Sequence, residues 1–187
     1  MKFAFADPPY IGYSHYYDHP DRKKWDNPAT HADLLHTLRN DYDGWAYCLY
    51  SNSLKEPQII GAIQGDPQIR ISAWVKPFAS FKPGVNPGYT WEPLIFKCGR
   101  PYERGGTTIR DHLSCNIAMQ KGLKGAKPMA VCFWVLKLLN FQPGDTLDDL
   151  FPGTGVMGRA VNHFCNHWSD GPDSSDQYTL KMQNRSE

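Results

Sequence analysis

Near the start of the chain, Asp7-Pro8-Pro9-Tyr10 sets a carboxylate, two rigid imino acids and an aromatic ring directly after the short apolar run KFAFA. Proline fixes φ and has no N–H, so the elbow holds its neighbours still and leaves nearby acceptors uncommitted. About 140 residues later, Leu147-Asp148-Asp149-Leu150-Phe151-Pro152-Gly153-Thr154-Gly155 has the pattern of a strand, a glycine turn and a helix start. Glycines allow a ligand close to the backbone, and free N–H groups at a helix start suit a carboxylate or phosphate. The turn lacks the Lys-Ser/Thr of a phosphate-binding P-loop. Gly153, Gly155 and Gly158 do match the spacing of the dinucleotide fingerprint, so both a nicotinamide-type ligand and a plain tight turn stay open. His163, Cys165 and His167 fall at i, i+2 and i+4, which brings only the histidines together on a helix; no metal site is expected.

These stretches need elements to position them. Residues 2–6 are expected as a buried strand that must stop at Asp7-Pro8-Pro9. Thr30 is expected to cap a helix through HADLLHTLRN, with Leu34, Leu35 and Leu38 as its apolar stripe. Further strands are expected over 44–50, 69–75, 89–97 and 146–151. Helices are expected over 53–63, from Pro128 through MAVCFWVLKLLNF, and over VMGRAVNHFCNHW. Residues 99–127 are aperiodic and basic, a small mobile or substrate-recognition excursion from a single domain spanning 1–187, and the residues after 168 resemble a frayed tail. Strands alternating with helices predict an α/β fold with a mostly parallel sheet, in which ligands sit at the carboxyl ends of strands. The two chemistry-bearing stretches are both such ends.

The bulk numbers are permissive. The 187 residues suit one domain, and 20 basic against 19 acidic side chains give a net charge of +1, so any basic surface must be local. No run approaches about 18 apolar residues, and no signal peptide is evident, which predicts a cytoplasmic protein without membrane partners. The five scattered cysteines, never in a C-x-x-C pair, fit reduced thiols.

Together, Asp7-Pro8-Pro9-Tyr10 and Phe151-Pro152-Gly153-Thr154-Gly155 resemble the Asp/Asn-Pro-Pro-aromatic and Phe-x-Gly-x-Gly motifs of S-adenosylmethionine-dependent amino-methyltransferases acting on nucleic-acid bases. That family includes the adenine-N6 and cytosine-N4 DNA methyltransferases, and the catalytic motif coming first is the order of its beta class. Lys127-Pro128 before an apolar helix, then Pro143-Gly144-Asp145, resembles the segment leading into the cofactor motif. Trp74-Val75-Lys76 and Trp91-Glu92-Pro93-Leu94-Ile95-Phe96 resemble further strands, including those of messenger-RNA adenine methyltransferases.

The resemblance implies a Rossmann-like methyltransferase fold, a twisted sheet with helices on both faces. It implies transfer of a methyl group from S-adenosylmethionine, leaving S-adenosylhomocysteine, to an exocyclic base amine. Adenine N6 in DNA comes first, with cytosine N4 in DNA or adenine N6 in RNA as alternatives. The Asp7 carboxylate and Pro8 carbonyl would accept the amine hydrogens on the Pro8-Pro9 elbow, and Tyr10 would stack on a flipped base. Asp7, Lys127, Pro128, Asp149, Phe151, Pro152, Gly153, Thr154 and Gly155 would line the cofactor, with Lys127 near its carboxylate and no metal required. DNA substrate would make the protein nucleoid-associated.

Substrate contacts are expected from the aromatic and basic loop after Tyr10, through Tyr13, Arg22, Lys23 and Lys24. Arg100, Arg104, Arg110, Lys121 and Lys124 are candidates for phosphate contacts. Trp74, Trp91 and Trp134 are expected in the core. Members of the family continue past the glycine-turn helix into a strand whose acid binds the cofactor ribose; here SDGPDSSDQ follows, and neither Asp170 nor Asp173 is assigned that role. The small recognition region implies loose specificity or help from a second subunit, in a homodimer or with a helper. A non-catalytic nucleic-acid or cofactor-binding protein of the same fold is the reading from another class.

Overall fold

The computed structural model describes residues 1–77, 84–118 and 125–168. Six strands form one sheet: β1 (Lys2–Ala6), β2 (Gly44–Cys48), β3 (Ile69–Val75), β4 (Trp91–Lys97), β5 (His112–Ser114) and β6 (Thr146–Asp149), in the order β5-β3-β4-β2-β1-β6. β1 runs parallel to β2 and β6, and β3 parallel to β5, while β4 is antiparallel to both β2 and β3. Five strands therefore share one direction, and β4 alone is reversed. The helices are α1 (Pro28–Asp41), α2 (Pro57–Ile63), α3 (Met129–Leu138) and α4 (Val156–Asn166). None is long and apolar enough to cross a membrane among the described residues.

The period-2 alternation of β1 divides the core. Phe3 and Phe5 pack with Phe96, Val131, Val135 and Phe164 under α3 and α4. Ala4 and Ala6 pack with Leu35, Leu38, Trp45 and Ile59 under α1 and α2. Both sheet faces are thus covered, as a central parallel strand requires. α3 is apolar nearly all round and is correspondingly buried, from Val131 to Leu136 without interruption. Asp145 clamps the entry to β6 beside the start of β1. It accepts two bonds from Arg100 at 2.9 Å, one from the Met1 amino group at 2.8 Å and one from the Gln142 N–H at 2.9 Å. Burial would raise the Asp145 carboxyl, but these donors outweigh it and hold the pKa at about 2. Arg100 is therefore a strut of the fold, not a free phosphate contact.

Several boundaries differ from the sequence expectation for local reasons. α1 begins two residues before Thr30, because Pro28 suits the first turn and the Asn27 side chain accepts from the Ala29 N–H at 3.0 Å. The helix expected over 53–63 divides into a 3-10 turn, Ser51–Lys55, and α2, since Pro57 starts a new helix. β2, β4 and β6 are each shorter than expected. The aperiodic stretch 99–127 contains β5, too short for its periodicity to show, which pairs with β3 at Ala73, Trp74 and Val75. Lys121, Lys124, Asp170, Asp173 and the tail lie outside the described residues.

Gly44, at the start of β2, has a packing role. A Cβ there would lie 2.7 Å from Gly99 Cα and 2.8 Å from the Phe3 ring, with Gly44 held in β2 and Gly99 two residues past the end of β4. Gly44→Ala is expected to destabilise the fold by about 3 kcal/mol, the upper end of overpacking costs, as read by urea unfolding.

Candidate active site

The carboxyl edge of the sheet collects the two motifs. In the parallel β1–β6 pair, Phe5 is in register with Asp149, and the Leu150 N–H donates to the Phe5 carbonyl at 3.0 Å. Asp7-Pro8-Pro9-Tyr10 and Phe151-Pro152-Gly153-Thr154-Gly155 therefore leave neighbouring strands at the same edge. Because β4 is reversed, its first residues, Trp91 and Glu92, reach this edge too, beside Trp74, Val75 and Lys76 at the end of β3.

Asp7 lies in a mostly buried cluster of four charges. The Lys127 ammonium donates to both Asp7 carboxylate oxygens, at 2.8 and 2.9 Å, and to the Tyr10 hydroxyl at 2.9 Å, and lies 3.5 Å from Glu92 Oε2. The Tyr10 hydroxyl donates to Glu92 Oε2 at 2.8 Å, and the other Glu92 oxygen is ion-paired with Lys76. Two carboxylates thus meet two ammonium groups and the cluster is neutral. The Trp74 ring walls it, with Lys76 4.8 Å and Lys127 5.8 Å from the ring centroid.

Burial decides the direction of each titration, and the neighbours modify it. Desolvation raises the Asp7 pKa above its ordinary value even though Lys127 opposes it. For Lys127, burial would lower the pKa, but Asp7 and Glu92 overcome it and hold the ammonium well above its usual range. Burial would raise Glu92, yet Lys127 and Lys76 bring it below the ordinary glutamate value. Tyr10 is pushed well up by burial and then by Glu92 and Asp7, so its hydroxyl stays protonated.

Glu92 escaped sequence reasoning as a functional residue. Its signal was a carboxylate within the otherwise apolar β4 run WEPLIF, where a buried charge requires partners. Lys127 is found on Asp7, not near a cofactor carboxylate as the resemblance implies. Pro128 is the residue before α3, and its carbonyl accepts from Val131 N–H at 3.0 Å.

The glycine turn enters α4 with Gly153 at φ +46° and Gly155 at φ +69°, where an L side chain would be strained. No side chain caps α4. Arg159 holds the turn by donating to the Thr154 carbonyl at 2.7 Å, and the Gly155 N–H bonds the Pro152 carbonyl at 2.6 Å. Burial and then the nearby Asp7 charge raise Asp149, against an N–H bond from Phe151. Backbone room at Gly153 and Gly155, a helix start with no side-chain cap and the adjoining Asp149 carboxylate offer backbone donors and an acceptor to a small polar ligand. Gly158, by contrast, is exposed with nothing within 4 Å of an added Cβ, so it lacks the close helix–strand packing of the third glycine in a dinucleotide fingerprint.

The loop after Tyr10 is tied down by Asp26, which accepts from Gly12 N–H at 2.8 Å and Ser14 Oγ at 2.6 Å. Tyr13 packs edge-on to Tyr50, with ring centroids 5.4 Å apart. Arg22 donates to the Tyr17 carbonyl at 2.8 Å, Lys24 lies 3.7 Å from Asp21, and Lys23 is exposed. Trp74 and Trp134 are buried as expected, but Trp91 is 37 % exposed because it starts its strand at the open edge. His163 and His167 stack on each other at 4.0 Å, and no three metal-ligating side chains converge among the described residues. No protein-family model matches the chain, and no curated protein matches it in sequence.

Proposed function

We propose that this chain transfers a methyl group from S-adenosylmethionine to the exocyclic amine of a nucleic-acid base, with adenine N6 in DNA first and cytosine N4 or RNA adenine as the alternatives. One observation carries the reading: the β1–β6 register sets the Asp7-Pro8-Pro9-Tyr10 elbow beside the Phe151–Gly155 turn at one sheet edge. An acceptor for an amine and a cradle for an adenosyl ligand are then neighbours.

A base amine is a weak nucleophile because its lone pair is delocalised into the ring. Asp7 and the Pro8 carbonyl accept its hydrogens and hold the nitrogen in line, which removes much of the orientational part of the barrier. Tyr10 provides the aromatic wall, and its bonds to Glu92 and Lys127 hold the ring in place. Asp149 and the Gly153–Gly155 backbone hold the cofactor, which supplies an electrophilic methyl group when bound. Asp7 is a purely accepting group only when ionised, since protonation adds an O–H donor that faces the amine hydrogens, so activity falls on the acid side through a pKa above the ordinary aspartate value.

S-Adenosylmethionine and S-adenosylhomocysteine are expected to raise the melting temperature, with stabilisation of about 2.7 kcal/mol at a hundred times Kd, and the nicotinamide dinucleotide to have no effect. Gly155→Ala, strained at φ +69°, should lose most of this shift. A shift with the nicotinamide dinucleotide alone would overturn the reading. The non-catalytic alternative is favoured by Lys127, which already fills both Asp7 oxygens; it predicts ligand binding with no methyl transfer.

A further inference from the structure

Near the charged cluster in the chain, after Tyr10 and after β2, lies a group of rings that the proposed chemistry does not use. Tyr13 stacks with Tyr16 at 5.9 Å and meets Tyr50 edge-on at 5.4 Å; Tyr50 in turn meets Tyr89 at 4.7 Å. The outer members are open to solvent: Tyr16 is 50 % and Tyr89 44 % exposed, and Trp91, close by in sequence, is exposed to a lesser degree. Large rings gathered in one exposed place mark interaction surfaces far more often than rings scattered singly.

An open depression of about 510 Å³ adjoins the rings, lined among others by Ser51, Asn52, Asn86, Tyr89 and Trp91. Its size is that of a small-ligand site, and its hydroxyl and amide groups can both donate and accept, as base edges require.

We propose that these rings are a stacking platform for unpaired bases, and that the substrate therefore enters as a single-stranded polynucleotide. The inference rests on the methyltransferase reading only for the identity of the neighbouring cradle. Continuity with that cradle is its first support. The Tyr13 N–H donates to the Tyr10 carbonyl at 2.8 Å, Tyr50 follows the end of β2 beside β1, and Trp91 directly precedes Glu92. A strand lying along this edge with one base against Tyr10 has its neighbours over Tyr50, Tyr89 and Trp91.

Charge is the second support. The Ser14–Tyr16 and Arg22–Asp26 turns are bound together through Asp26, and Arg22 donates to the Tyr17 carbonyl next to Tyr16, so the basic triplet Arg22, Lys23 and Lys24 belongs to the same loop as Tyr13 and Tyr16, with Lys23 exposed. The third is the chemistry of the rings themselves. Ring faces suit unpaired bases and are useless to bases already stacked in a helix.

The test is fluorescence anisotropy of end-labelled oligonucleotides with the full chain, using a single-stranded DNA, the same sequence as RNA, and the DNA duplex. Single strands are expected to bind at least tenfold more tightly than duplex, and the tighter of the two names the sugar. Binding should depend only shallowly on salt, with a logarithmic slope no steeper than about −2 for three phosphate contacts. Tyr89→Ala and Trp91→Ala should each weaken binding about fivefold or more, up to about a hundredfold, and Tyr89→Phe and Trp91→Phe should retain it. Photocrosslinking of wild-type protein to an iodouracil oligonucleotide, mapped to the peptide holding Tyr89 and Trp91, gives a readout that needs no variant.

Equal duplex binding, unchanged affinity in the double alanine variant with no crosslink at that peptide, or no binding of any oligonucleotide would each overturn the proposal. So would self-association, seen by light scattering and abolished by the same variant, since a second copy would then be the occupant. Ring-dependent single-strand binding without methyl transfer would leave the platform standing and remove the methyltransferase reading. Transfer to duplex unaffected by the ring variants would do the reverse.

Discussion

Replacing Asp7 with asparagine is expected to lower methyl transfer by about 10²–10³-fold while the protein still binds cofactor, the range found when one preorganised group is removed from an active site. Asparagine keeps one acceptor oxygen but turns an NH2 group into the cradle, facing the Lys127 ammonium or an incoming amine with a donor against a donor. Asp7→Ala is the poorer probe, because among the described residues it leaves Lys127 with Glu92 as its only close counter-charge, at 3.5 Å, and costs about 3–5 kcal/mol of stability. The double variant Asp7→Asn, Lys127→Met removes both partners and should recover most of that stability without recovering activity. A steady-state assay with parallel melting curves separates the two effects. A double variant as active as wild type would mean that Asp7 serves only the ion pair.

The second large effect is on Lys127. Lys127→Met removes the cation that donates to Asp7 and Tyr10 and lies against Glu92, so two carboxylates share a mostly buried site with Lys76 alone. Near neutral pH the loss is expected to be about 3–5 kcal/mol, because breaking a buried pair strands a charge. The pH dependence is diagnostic. In the wild type Asp7 is already raised by burial, and without Lys127 it rises further. A carboxyl raised in the folded state contributes stability that is fully present below its unfolded value of 3.8 and lost as pH rises through its folded value. The deficit of Lys127→Met should therefore shrink from about pH 7 to about pH 4. Glu92 has the opposite sign: it is lowered in the fold, so its contribution is present above 4.5 and lost as pH falls through the lower folded value. Urea unfolding of both proteins across this range measures the difference, and a deficit constant with pH would show that Lys127 contributes packing alone.

What could be read from the sequence was local. The Asp7-Pro8-Pro9 stop, the glycine turn and the apolar α3 are written in adjacent residues, and each forms where its chemistry dictates. The reversed strand β4 was not legible as such, because nothing in WEPLIF states that it inserts between β2 and β3. That insertion brings Glu92 to Tyr10 across 82 positions and opens Trp91 to solvent, so a site carboxylate and a platform ring were both missed. Lys127 was singled out, but not the partner it takes. Its pairing with Asp7 spans 120 positions and exists only once α3 packs beneath β1. Arg100 shows the same limit in reverse: in sequence it is one of several loop cations, and in the fold Asp145 claims it.

The Asp7–Tyr10 elbow and the Phe151–Gly155 turn are proposed to form one methyl-transfer site. The most direct test is incubation of the purified chain with tritiated-methyl S-adenosylmethionine and single-stranded DNA, duplex DNA or RNA, followed by digestion and mass spectrometry of the nucleosides. A labelled N-methylated nucleoside, N6-methyladenine in DNA first among them, is expected with wild type and lost with Asp7→Asn. Folded protein that yields no methylated nucleoside from any of the three polymers would rule out methyl transfer to a base at this site.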